Sequence, residues 1–179
     1  MAKTHDDNAK TKLDVMAHFD KEALDFDFER TAAGYRLRHR LITSLITMLY
    51  RHGAVALDMG CGTGEYTVSL AQAGFEVVGG DLSKGMLTVA KPKIQKHTLD
   101  GKIQFIRLDS TKLPFRNEVF DTITCVALLD CVPDSHRLLV EANRVLKHHA
   151  SLVVCVDALW SPYRVYRKIQ GFIGRSGKR

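Results

Sequence analysis

The chain has 179 residues, 45% hydrophobic and 26% charged, with a formal net charge of +6. That balance fits one globular domain with a single sizeable core and excludes a disordered or fibrous chain. Six basic residues and no acidic ones lie between Ala158 and Arg179, so the basicity belongs to a tail and a domain built around nucleic acid is not expected.

Residues 1–12 are polar and mixed in charge. From Leu13 to about Tyr50 the pattern is helical. Leu37, Leu41, Leu45 and Met48/Leu49 recur at spacings of three and four, and Gly34 separates a first helix (about 13–31) from a second (about 35–51). Ala54 to Met59 is an apolar run with no polar face, as expected for a strand buried on both sides of a parallel sheet. A turn, Gly60 to Gly64, leads into a helix over Glu65 to Ala73, which Gly74 stops. A second strand runs from Phe75 to Gly80 and ends at Asp81. Ser83 can cap a helix reaching about Ala90, with Pro92 just beyond. A third strand covers Ile103 to Leu108, and a fourth Val119 to Ala127. Pro133-Asp134 opens a helix to about Lys147, and Ser151 to Val156 is a fifth strand. Strands alternating with helices predict an α/β fold: a Rossmann-like, doubly wound, mostly parallel sheet with N-terminal helices.

In such sheets ligands bind beyond the carboxyl ends of the strands. After the first strand stand Gly60, Gly62 and Gly64. Glycine permits positive φ and lets a ligand approach bare backbone, and the helix after the loop points free N–H groups at the same place. That end suits an anionic group. After the second strand, Asp81 can accept from vicinal ribose hydroxyls, with Leu82 and Met86 placed to wall a base. After the third, Asp109 can accept from an exocyclic amine, with Ser110 beside it. Each acid alone could be a cap or turn residue; three such features on one rim favour a nucleoside site.

The series Leu57-Asp58-Met59-Gly60-Cys61-Gly62-Thr63-Gly64, Gly80-Asp81-Leu82-Ser83, Leu108-Asp109-Ser110, Leu113-Pro114-Phe115, Phe120-Asp121 and Glu141 to Lys147 resembles a class I methyltransferase. The resemblance is to the ubiquinone/menaquinone C-methyltransferase group and covers about residues 54–157. It implies S-adenosyl-L-methionine as cofactor. Asp58 and Gly60 would shape the loop at the methionine end, and Gly62 and Gly64 would lie against the cofactor. Asp81 would bind the ribose, Leu82 and Met86 would pack on adenine, and Asp109 with Ser110 would read its amine. Val126 and Ala127 would lie near the sulfonium. The implied organisation is N-terminal helices over the site (1–53), a cofactor-binding core (54–157) and a basic amphipathic tail (158–179). The resemblance also implies a final antiparallel strand pair, which is not visible after Val156, so the chain reads as shortened there.

The implied reaction is methyl transfer to a small-molecule acceptor by in-line displacement. No catalytic residue is assigned. Asp130 and His136 are candidate bases near the expected mouth, each also readable as a solvated surface group. Phe19, Phe26, Phe28 and Tyr35 either line an acceptor pocket or pack the helices on the sheet. The tail places Val165, Tyr166, Ile169, Phe172 and Ile173 at helical spacing, which suits either peripheral membrane contact or docking on the domain.

Cys61, Cys125, Cys131 and Cys155 form no C-x-x-C pair, and neither a disulfide framework nor a metal site is expected. With no long apolar run and no secretory leader pattern, the chain reads as soluble and cytoplasmic. Two other functions compete. A non-catalytic, cofactor-binding or partner subunit is motivated by the short C-terminus. A nicotinamide-dependent dehydrogenase would need glycine where Glu65 stands.

Overall fold

The computed structural model describes residues 5–26 and 33–156, with side chains from Lys12 onward. The tail and Phe28 lie outside the described residues. The elements run α1 (His5–Glu22), α2 (Ala33–Leu49), β1 (Val55–Met59), α3 (Glu65–Ala73), β2 (Glu76–Asp81), α4 (Lys84–Lys96), β3 (Ile103–Arg107), β4 (Phe120–Val126), α5 (Ser135–Val145) and β5 (Leu146–Cys155). The five strands form one sheet in the order β3-β2-β1-β4-β5, and every pairing is parallel. This is the expected doubly wound sheet. Chain direction along the sheet reverses between β1 and β4, so the carboxyl ends of those two strands flank the crevice where such folds bind ligands.

The sheet divides two apolar layers. On one face Ala56 of β1 and Val77 of β2 pack with Ile42 and Ile46 of α2 and with Val68 and Leu70 of α3. On the other, Leu57 and Met59 of β1 and Ile123 and Cys125 of β4 meet Leu138, Ala142 and Val145 of α5. Alternate residues of β1 thus enter opposite cores, as the period of two requires. Asp58 lies between the layers with 2% exposure. Its two carboxylate oxygens accept from the hydroxyls of Thr67, at 2.6 Å, and Thr124, at 2.8 Å, which satisfy them and tie α3 and β4 to β1.

Two expectations change, at α4 and at β5. The helix after Ser83 does not stop before Pro92; α4 contains that proline and continues to Lys96. Ile94 packs against the first core and Leu99 is buried in it, so tertiary contact outweighs the hydrogen bond that proline removes. In α2 the leucine stripe that signals the helix is not its buried face. Ile42 and Ile46 are buried, while Leu37, Leu41, Leu45 and Met48 are exposed. Finally, β5 begins at Leu146, directly after α5, and pairs with Phe120 before an irregularity resets the register at Thr122–Ser151. His149, at φ 60°, lies in that irregular stretch. Leu152, Val154 and Val156 at this sheet edge are exposed.

The loop before β4 is fastened to α5. Glu141 is buried and accepts from the Leu113 N–H at 2.8 Å and from Arg144 Nε and Nη2. Arg144 also donates to the carbonyls of Leu113 and Phe115. The Arg144 guanidinium, with the Leu113 amide, holds the Glu141 carboxyl below its ordinary 4.5 against the opposing effect of burial. A lowered carboxyl contributes stability above the unfolded value and loses it as pH falls through the folded one. Glu141→Gln should therefore cost about 1–3 kcal/mol at neutral pH. Urea titrations of both proteins should show that difference shrinking as pH drops below 4.5.

Candidate cofactor site

The turn after β1 is shaped by backbone that only a bare Cα tolerates cheaply. Gly60 and Gly62 have φ of 74° and 53°. A methyl on Gly60 would stand 2.7 Å from Leu128 Cδ1, whereas one on Gly62 would meet only Phe26 Cε1, at 3.8 Å. Gly62 therefore leaves open the space that a ligand would use. The loop is fixed from β2: the amides of Gly60 and Cys61 both donate to the Gly80 carbonyl, at 2.8 and 3.0 Å.

Asp81, at the tip of β2, completes the clamp. Its Oδ2 accepts from the Gly62 N–H and its Oδ1 from the Ser83 N–H, each at 2.8 Å. Ser83 in turn caps α4 by accepting from the Met86 N–H at 3.0 Å. Burial pushes the Asp81 carboxyl above its ordinary 3.8, while the surrounding amides pull it back. Its ionisation is thus a cost to the folded state, incurred as pH rises through that raised value. Each oxygen still has a lone pair for a further donor.

Asp109 is held differently. Oδ1 accepts from both the amide and the hydroxyl of Thr111, and Oδ2 accepts from Lys12 Nζ of α1 at 2.9 Å. Burial acts to raise this carboxyl, but Lys12 and Thr111 outweigh it and hold it below 3.8.

These residues open on a cavity of about 670 Å3, within the usual size range of small-molecule sites. Of the expected cofactor residues, Gly60, Gly62, Asp81, Leu82, Met86, Asp109, Ser110, Val126 and Ala127 line it. Asp58 and Gly64 do not. Asp58 is buried at 2% exposure, and a methyl on Gly64 would stand 2.8 Å from Phe105 Cζ and 3.2 Å from Ala90 Cβ, so both act on the loop from behind. Ala127 takes φ 54° where β4 ends, its N–H donating to the Cys155 carbonyl at 2.7 Å. A left-handed alanine costs about 1 kcal/mol, and it turns the chain so that Leu128 passes under Gly60.

Phe19, Phe26 and Tyr35 also line the cavity, whereas Asp130 and His136 do not and are exposed. Residues that sequence reasoning missed include Lys12, His18, Arg38, Tyr66 and Cys131. Tyr66 was findable, since it sits in the first turn after the glycine loop. Arg38 joins it through a ring series: the guanidinium lies 5.4 Å from the Tyr35 ring centre, Tyr35 stacks on His39, and His39 lies 5.3 Å from Tyr66. Arg38 and Tyr66 both line the cavity. Burial, then the carboxylates of Asp58 and Asp81, push the Cys61 thiol well above 9.0, which disfavours its thiolate.

Residues 57–154 match the family described as a methyltransferase domain. The chain belongs to that family. This methyltransferase domain is 36% identical over 128 residues to a demethylmenaquinone methyltransferase of Lysinibacillus sphaericus, covering 70% of this chain and 53% of the relative. The chain spans about half the length of the curated relatives it matches. Among solved structures, magnesium protoporphyrin IX methyltransferase from Synechocystis superposes with a TM-score of 0.64 at 23% identity, over 76% of this chain and 72% of that one. That likeness is one of fold. The [4+2]-cyclase SpnF superposes with a TM-score of 0.60 at 26% identity, over 65% of this chain and 44% of that one.

In the methyltransferase domain, Asp81→Ala leaves the Gly62 and Ser83 amides without their acceptor. It should lower stability by about 1–3 kcal/mol and speed hydrogen exchange at those two amides. Unchanged exchange would mean that the Gly80 carbonyl alone holds the loop.

Proposed function

We propose that this domain binds S-adenosyl-L-methionine and transfers its methyl group to a small apolar acceptor. The observation that carries the reading is the cavity itself, which gathers a glycine loop, the carboxylates of Asp81 and Asp109 and the apolar walls of Leu82 and Met86. Asp81 fits vicinal hydroxyls, because each of its oxygens already takes one amide and has room for one more donor. Asp109 fits an amine at Oδ2. Gly62 and the start of α3 fit the zwitterionic methionine end, and Arg38 lines the same cavity. When bound, the cofactor supplies a methyl group activated by positively charged sulfur.

The chain's own contribution is placement and exclusion of water. Val126, Ala127 and Leu128 would border the reacting region. Phe19, Phe26, Val132 and Pro133 make the remaining wall largely apolar, which supports an acceptor of the kind named for its relatives, demethylmenaquinone. The N-terminal helices would serve as the cover of that site.

A second reading keeps the cofactor site and drops the methyl transfer. It is favoured by the likeness to a cyclase, a different reaction on the same fold. Calorimetry with S-adenosylmethionine, S-adenosylhomocysteine and NAD should show binding of the first two alone, and a quinol panel should then show methylation. NAD binding alone would overturn the cofactor assignment. Cofactor binding with no transfer to any acceptor would favour the second reading.

A further inference from the structure

α1 forms one wall of the cavity and is fastened by polar contacts at two points. Near its C-terminus, Asp20 Oδ1 accepts from the Gly85 N–H at 2.8 Å and from the Ser83 hydroxyl, both at the start of α4. The fit there is tight. A methyl on Gly85 would stand 2.9 Å from the Asp20 carbonyl oxygen and 3.0 Å from its Cα. Those are backbone atoms, so no side chain could swing aside. The missing Cβ at Gly85 is what lets the backbone of α1 seat against α4.

Two turns earlier, about 12 Å along the helix, Lys12 Nζ donates to Asp109 Oδ2 at 2.9 Å and reaches the Thr111 hydroxyl at 2.6 Å. Between these points Val15, Met16 and Phe19 face the cavity. Met16 Sδ also accepts from Arg107 Nη2 at the end of β3. The helix therefore crosses from the edge of α4 to the end of β3, over the rim where Asp81 and Asp109 stand.

We propose that α1 is a gate over the adenosyl half of the site, held shut by Asp20 on α4 and by Lys12 on Asp109, which must release for the cofactor to pass. The gate rests on the cofactor reading given above. Lys12 has the more specific part. Thr111 already supplies two donors to Asp109 Oδ1, so an adenine amine must use Oδ2, where Lys12 sits. Oδ2 has room for one donor beyond Lys12, so adenine and Lys12 share that acceptor and the latch weakens as the base arrives. Asp20 is a positioning residue that sets how long α1 stays seated. Covers of this kind commonly set exchange rates more than affinity.

Surface plasmon resonance with S-adenosylhomocysteine on the immobilised full chain tests this. Asp20→Ala should raise association and dissociation rates together by about ten-fold, the loss of one or two hydrogen bonds, with Kd within about three-fold. Asp20→Asn should behave as wild type, because both contacts fall on Oδ1 and the amide carbonyl keeps that acceptor. Lys12→Met should speed association. A helix that was merely structural would instead lose affinity in Asp20→Ala through slower association. Equal rates for wild type and Asp20→Ala would overturn the gate alone; no binding by the wild-type chain would overturn the cofactor reading and the gate with it. If Asp20→Ala fails to fold, Lys12→Met decides: faster association supports the gate, and an unchanged rate refutes it.

Discussion

The carboxylate of Asp81 joins three elements with two oxygens. One oxygen holds the glycine loop after β1, and the other holds the residue that caps α4, while the carboxylate itself stands at the tip of β2. Without it, the loop would hang from the Gly80 carbonyl, and the two helix starts that face the cavity would lose their common anchor. The clamp is also chemically unsaturated, since each oxygen can take one more donor. Fold and ligand chemistry therefore meet at one side chain. This is why the raised carboxyl of Asp81 is tolerable: a buried charge is retained where it organises a site.

The sheet and its rim are legible in the sequence because their signals are local. A strand buried on both faces shows as a short apolar run, and the residue next to it in sequence is also next to it in space. Gly60, Asp81 and Asp109 can thus be placed at strand ends from the chain alone. Features that depend on distant partners are not legible. Lys12 meets Asp109 across 97 positions and Asp20 meets Ser83 across 63, and neither pair leaves a pattern in the chain. Asp58 reads as a loop-shaping residue, and nothing in its neighbours shows that Thr67 and Thr124 satisfy it inside the core. The leucines of α2 show a further limit. Their spacing identifies the helix, but the periodicity of a helix apolar on more than one side cannot say which stripe is buried.

The same contrast separates the two halves of the cavity. The half bounded by Asp81, Met86 and Asp109 is built from strand ends and polar contacts, and its chemistry is narrow. The half bounded by Phe26, α2 and the chain after β4 is mostly apolar and comes from segments far apart in sequence. Its shape would set acceptor choice, and it is where relatives on one fold can diverge into different reactions.

The proposal that Asp81 and the loop it clamps form a nucleoside site is tested most directly by amide chemical shifts of the labelled chain, recorded during titration with S-adenosylhomocysteine. The largest shifts should fall on Gly60, Gly62, Leu82 and Ser83 and on Ser110 beside Asp109. Saturating shifts that leave those amides unmoved, with changes elsewhere on the surface, would contradict it.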